Sequence, residues 1–102
     1  MEDTREDKIA RFKLMLSFGN FIIKGVDMGI VDIGIGKADG LYAKSCDYLS
    51  SFNRLTVEEE KQLPKEQVLD YKMGYTWFIV CNHVKTAGDA VLRTRKVGKY
   101  YV

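Results

Sequence analysis

Six glycines between Phe18 and Gly40 constrain the fold of this chain more than any other feature. They are Gly19, Gly25, Gly29, Gly34, Gly36 and Gly40, and they interrupt mainly β-branched apolar residues. A glycine inside a helix costs about 1 kcal/mol relative to alanine, and β-branched side chains favour a pleated surface. The segment therefore predicts two short strands, at about residues 20–24 and 29–35. Because the pairs 25/29 and 36/40 are each four residues apart, closely packed helices are the alternative.

A helix is predicted before this segment. Thr4 and Asp7 resemble a capping box in which aspartate replaces the usual glutamate, so the helix should begin near Thr4. Ile9, Phe12 and Leu16 then recur at spacings of three and four. This spacing carries the predicted helix to about Ser17.

Further helices are predicted in the middle of the chain. Residues 41–53 have apolar side chains at helical spacing, which indicates a second helix. Thr56 and Glu59 form another capping box at the start of an acidic turn. Pro64 should end or kink that turn, or stand at the first position of a third helix over about residues 65–73.

The C-terminal third predicts a β-hairpin. Residues 75–80 are aromatic or β-branched and uncharged, which is typical of a strand, and residues 86–89 (TAGD) provide turn chemistry before a second strand at 90–97. The competing interpretation is one helix from Pro64 to Ala87 with Gly88 as its C-cap. We therefore predict an α+β fold of about three short helices packed on a small antiparallel sheet, with an all-α bundle as the alternative.

Composition favours a single globular domain over residues 1–102. Apolar residues make up 46% of the chain and charged residues 29%, a balance typical of globular proteins. The longest uncharged stretches, residues 14–23 and 73–84, are well short of the roughly 20 residues that a membrane helix needs. With only two cysteines and an acidic start, we expect a cytoplasmic protein without disulfides or a membrane partner.

No motif predicts an enzyme, a cofactor or a metal. The segment from Gly34 to Gly40 resembles a phosphate-binding loop but lacks both the Walker spacing and the Ser or Thr after Lys37. Cys81 and His83 would share one face of a strand, but two ligands do not complete a zinc site. The run Glu58 to Glu60 is explained by a solvated helix start. We therefore expect no catalytic residue, no metal site and no cofactor.

The last ten residues carry the strongest functional signal. The whole chain has a formal net charge of +2, and residues 93–102 supply +4, so residues 1–92 sum to −2. The candidate partner-binding residues are Arg93, Arg95, Lys96, Lys99, Tyr100 and Tyr101. On a strand, Arg93 and Arg95 would share a face, and tyrosines can stack on bases or fill a protein pocket. Lysines on an edge strand also have a purely protective role, because they prevent unwanted pairing.

These observations favour a non-enzymatic protein-interaction module, such as an inhibitor, an adaptor or a regulatory subunit. Its partner would be another protein with an acidic surface. The alternative is a nucleic-acid-binding protein that contacts phosphates through residues 93–101, although the pI of about 8.5 is modest for that role. The aromatic content also allows a homo-oligomer.

Overall fold

The protein is an assembly of α-helices around one long helix. The computed structural model describes the backbone of residues 4–101 and the side chains of residues 4–94. Four helices follow one another: α1 (Arg5–Asp27), α2 (Leu41–Ser51), α3 (Val57–Lys61) and α4 (Lys65–Tyr101). Between residues 4 and 101 there is no β-strand. The predicted α+β fold is therefore wrong, and the all-α alternative fits.

Helix α1 begins where the sequence predicts and ends much later. The Thr4 hydroxyl accepts a hydrogen bond from the amide of Asp7, and the Asp7 carboxylate accepts one from the amide of Thr4. The helix continues through the predicted strand at 20–24 because its interior glycines permit close packing: Gly19 is buried where Val80 approaches, and Gly25 where Val31 does. This packing offsets the low helix propensity of glycine.

Helix α4 replaces the predicted hairpin. Residues 75–80, 86–89 and 90–97 all lie within its 37 residues, so both predicted strands and the turn are wrong. Residues 75–80 are apolar because α4 is covered on two sides: Trp77 stacks against Phe18 of α1, and Phe78 contacts Phe52 next to α2. Gly88 is a helix-interior residue and not a C-cap, because α4 continues to Tyr101, and the Tyr42 ring packs against it.

Helices α1 and α2 flank α4 in opposite directions. Lys8 pairs with Asp70 near the start of α4, and Asp27 contacts His83 further along, so α1 runs parallel to α4. Tyr42 bonds to Asp89, and the Tyr48 hydroxyl donates to the Gly74 carbonyl 2.8 Å away, so α2 runs antiparallel. The core between them contains Ile22, Ile33, Val80 and Val84.

The second and third predicted helices are largely confirmed. Helix α2 ends at Ser51, two residues before the predicted end. Thr56 and Glu59 form the reciprocal hydrogen bonds of the second capping box, which opens the five-residue α3. The helix predicted from Lys65 to about Met73 is the first part of α4, and Pro64 immediately precedes it.

The glycine-rich residues 28–40 form a loop that crosses between α1 and α2. The Gly25 carbonyl accepts hydrogen bonds from the amides of Ile30 and Val31, which turns the chain sharply at the end of α1. Gly34 has a φ of 69° and lies against Gly40, where a side chain would collide with backbone. The strand predicted at 29–35 is therefore wrong, because backbone turns and contacts with α1 and α2 replace sheet pairing. In the described range no helix is both long and apolar enough to cross a membrane.

Candidate functional site

The predicted partner-binding segment is the end of helix α4. The backbone of residues 93–101 is helical, so the hairpin geometry expected for Arg93 and Arg95 is wrong. Arg93 is exposed. The side chains of the other candidates lie outside the described residues; these are Arg95, Lys96, Lys99, Tyr100 and Tyr101. At 3.6 residues per turn, positions 93, 95, 96, 99 and 100 fall within one half of the helix circumference, and position 101 falls outside it.

A charged and hydrogen-bonded cluster lies just before this segment. The Lys85 ammonium donates to the Asp89 carboxylate at 2.7 Å, and the Tyr42 hydroxyl donates to the same carboxylate. Arg93 is four residues beyond Asp89, on the same side of α4. The cluster therefore joins the start of α2 to α4 immediately before the basic segment.

The pKa values within this cluster follow from its contacts. The hydrogen bond from Lys85 is the main cause that lowers the pKa of Asp89, followed by the bond from Tyr42; the charge of Arg93 adds a smaller effect. The same carboxylate raises the pKa of Lys85. The hydrogen bond to Asp89 also raises the pKa of Tyr42, with burial and the nearby Cys46 thiol as smaller causes. The charged forms of Asp89 and Lys85 are thus both favoured.

A cavity of about 600 Å³ adjoins this end of α4. We call it the loop hollow, because residues of the 28–40 loop form most of its wall. Polar and apolar atoms contribute about equally to its surface, and the apolar side chains of its lining include Val26, Ile30, Ile33, Ile35, Ala87 and Val91. Asp32 and Lys37 supply the charged part of the wall, and their side chains are 3.9 Å apart. Val91 is two residues before Arg93, and the two residues lie on opposite sides of α4 because they are about 200° apart around the helix.

Large apolar side chains are exposed around the loop hollow. Ile30 is 70% exposed, and Val91 and Leu92 are about 40% exposed. The sequence analysis missed these residues because it assigned them to strands, where alternate apolar residues would be buried. Exposed apolar residues next to a cation are typical of protein-binding surfaces. The candidate site comprises the loop hollow, the exposed apolar residues beside it and the basic segment that begins at Arg93, further along α4.

The glycine-rich loop has no free cradle for a phosphate group. The Gly34 amide donates to the Asp32 carboxylate at 2.9 Å, and Lys37 lies close to the same carboxylate. An incoming phosphate would therefore meet a negative charge where a phosphate-binding loop presents amide hydrogens. The loop instead forms a wall of the hollow.

The other side chains considered as catalytic or metal-binding candidates make contacts within the fold. Cys81 is buried, and burial raises the pKa of its thiol, although the Ser45 hydroxyl opposes this rise. His83 lies two residues further along a helix, so it is on another face, and its Nε2 is 2.7 Å from Asp27. Among the described residues, no group of three or more His, Cys, Asp and Glu side chains could hold a metal ion. Glu59 caps α3, and its bonds from Thr56 lower the pKa of its carboxyl group.

Comparison with known proteins gives no assignment: no family model, curated protein or solved structure matches this chain.

Proposed function

We propose that this chain is a small non-enzymatic protein-interaction module, such as an inhibitor, an adaptor or a regulatory subunit. The partner would be a protein with an acidic surface that also presents an apolar side chain. That side chain would enter the loop hollow, and acidic groups of the partner further along α4 would approach the basic segment that begins at Arg93. The observation that carries the proposal is the direct succession along α4 of an open cavity with several apolar side chains in its wall, exposed Val91 and Leu92, and the cation Arg93.

The chemistry of this surface resembles that of known interface types. A protein interface usually has an apolar centre that excludes water and a polar edge, and arginine is enriched among the residues that dominate binding energy. The exposed Ile30 and Val91 would supply the centre, and Arg93 would supply the edge. We also propose a reducing compartment, the cytoplasm, since Cys46 and Cys81 are both free thiols.

Charge reversal at the basic segment tests the proposal. The wild-type chain and the double variant Arg93→Glu with Arg95→Glu would each be immobilised and used for affinity capture from lysate of the source cells. We expect an acidic protein to be retained by the wild type and lost from the variant. The Ile30→Ser variant should weaken the same capture, because Ile30 is exposed and its loss removes apolar contact without opening the core.

A second charge reversal serves as the matched control. Lys44→Glu with Lys61→Glu changes the net charge by the same amount at exposed positions of α2 and α3. This variant should capture the partner as the wild type does. Val57→Ser is the control for Ile30→Ser, and it should also capture the partner as the wild type does. Equal loss with both charge-reversed pairs would mean that general charge attraction, and not this site, holds the captured protein.

The grouping of cations along α4 also favours a second candidate function, which is binding of nucleic acid. Four cations on one half of a helix can follow a phosphate backbone. Anisotropy of labelled single-stranded and duplex oligonucleotides would then show a log affinity that falls with log salt at a slope of roughly −3 to −4, as expected for about four neutralised phosphates. An absence of binding at low salt would remove this candidate and leave the protein partner.

A further inference from the structure

A stripe of large apolar residues lies exposed along helix α1. Leu14 and Met28 are each 71% exposed, Phe21 is 63% exposed and Phe18 is 55% exposed. We call these four residues the α1 stripe. Their spacings of four, three and seven place them on one side of the helix, because each set of seven residues makes nearly two full turns. Position 25 shares this side, so no charged residue lies on it between positions 14 and 28.

The α1 stripe is separate from the contact between α1 and α4. That contact uses Gly19, which is buried against Val80, on another side of the helix. Of the four stripe residues, Phe18 alone reaches an aromatic ring of α4, and its ring stacks on Trp77 with centroids 6.4 Å apart. Val31 of the loop covers Gly25, which lies between Phe21 and Met28 on the side of the stripe. The stripe is therefore a surface that the helices of one copy leave uncovered.

The exposed area is large enough for a stable interface. At roughly 200 Å² for a large apolar or aromatic side chain, the four exposed fractions correspond to about 500 Å² of apolar surface. A standard interface covers about 800 Å² on each partner, and about 60% of that area is non-polar. The stripe alone thus supplies about the apolar area that one side of such an interface needs. Apolar patches of this size on a monomer are usually functional.

We propose that the α1 stripe is the interface between two copies of this chain, packed antiparallel about a twofold axis. In a twofold pair the same apolar residues serve both sides, so the stripe of each copy covers that of the other. With the axis at Phe21, Leu14 of one copy lies opposite Met28 of the other, so the two ends of the stripe meet. The antiparallel direction also opposes the helix dipoles, whereas a parallel partner would align them.

Sedimentation equilibrium on the full chain tests this pairing. We expect the wild type at about 50 μM to have twice the chain mass of 11.7 kDa. Phe21→Asp should weaken association at least tenfold, because it places a charge in the middle of the interface. A second variant, Leu14→Asp, should do the same, which protects the result against an unexpected folding defect at one position. Far-UV circular dichroism of both variants should match that of the wild type.

An aspartate at another exposed apolar position is the control. Val57 is 65% exposed but lies on α3, so Val57→Asp should remain dimeric. A wild-type chain that stays monomeric at 50 μM overturns the proposal, whether or not other proteins bind the stripe. So does a dimer that Phe21→Asp and Leu14→Asp leave intact. The outcome is independent of the charge reversals at Arg93 and Arg95, which lie at the end of α4.

The single tryptophan provides a second readout. Trp77 is in contact with Phe18 of the stripe, so pairing should further exclude water from its ring. We expect the emission maximum of the wild type to move to longer wavelength on dilution, with a midpoint that matches the dissociation constant from sedimentation. Phe21→Asp should show the long-wavelength maximum at every concentration. A wild-type emission maximum that does not change over the same dilution contradicts pairing through the α1 stripe.

Discussion

Gly88 permits α2 to lie directly against α4. A Cβ atom at this position would overlap the ring of Tyr42 and lie 3.1 Å from Ile35. On helix propensity alone, Gly88→Ala should stabilise α4 by about 1 kcal/mol. We expect the opposite result, a destabilisation of about 1–3 kcal/mol, because the ring of Tyr42 is held by its bond to Asp89 and has to move. Urea unfolding followed by circular dichroism would measure the difference.

A double-mutant cycle provides the control for Gly88. The Tyr42→Ala variant lacks the ring. In that background, Gly88→Ala should lower the free energy of unfolding much less than it does in the wild type. The contact with Ile35 remains in that background, and it sets the destabilisation that Gly88→Ala still causes. If Gly88→Ala destabilises the Tyr42→Ala chain as much as the wild type, the close approach of Tyr42 is not the cause.

Asp89 makes the stability of the fold dependent on pH. Its pKa is lowered from the ordinary value of 3.8, first by the bond from Lys85 and then by the bond from Tyr42. A carboxyl group whose pKa is lower in the folded chain stabilises the fold above its unfolded pKa, and that stability is lost as the pH falls through the folded pKa. Asp89→Asn should therefore destabilise the protein at pH 7, and the difference from wild type should shrink below about pH 4.

Urea unfolding midpoints between pH 7 and pH 2.5 would measure this dependence. Asp47→Asn is the matched control, because Asp47 is an exposed aspartate of α2 outside the cluster around Asp89. Its difference from wild type should be smaller than that of Asp89→Asn at pH 7. A constant difference between Asp89→Asn and wild type across the whole range would show that the ionised carboxylate does not contribute.

At the scale of elements, the starts of helices α1 and α3 were the most predictable features. The boxes at Thr4 and Thr56 are local, since each depends on two side chains three residues apart, and both form as the sequence predicts. Helix α2 was also predictable, because its apolar residues face one neighbour, α4, and so keep helical spacing. Local chemistry is sufficient where the surroundings of an element are simple.

Helix α4 was not predictable from apolar spacing, because it is covered by α1 on one side and α2 on the other. Residues 75–80 therefore lack a polar side and resemble a buried strand. The spacing of the charged residues indicates a helix here more clearly than the apolar residues do. Lys85, Asp89 and Arg93 are spaced by four, which stabilises a helix and continues it through the expected turn at 86–89.

The aromatic residues of the second half also depend on the assembly of elements. Phe52, just past α2, contacts the rings of Tyr48, Tyr71, Tyr75 and Phe78 at centroid distances between 5.0 and 6.5 Å. Tyr71 also accepts a hydrogen bond from the Leu55 amide, which holds the segment after α2 against α4. The sequence analysis treated aromatic residues as candidate partner contacts, but these five rings mainly contact one another. Among the aromatic residues whose side chains are described, Phe18 and Phe21 are the exposed ones.

At the scale of the whole molecule, α4 determines the shape. A helix of 37 residues is about 55 Å long at 1.5 Å per residue, and the longest dimension of the molecule is 56 Å. The radius of gyration is 16.8 Å, whereas a compact chain of 102 residues has about 13 Å. The basic end of α4 is therefore displaced from the mass of the molecule, and the acidic partner proposed above would be able to approach it from several directions.

Small-angle X-ray scattering would distinguish this elongated shape from a compact fold with a C-terminal hairpin. The Phe21→Asp variant at low concentration is the suitable sample, because pairing through the α1 stripe would otherwise add to the measured size. We expect a radius of gyration close to 16.8 Å and a distance distribution with a tail that reaches beyond 50 Å, because α4 is continuous. A radius near 13 Å would mean that the chain folds back within residues 86–98, and the loop hollow would then lose its α4 wall at Ala87 and Val91.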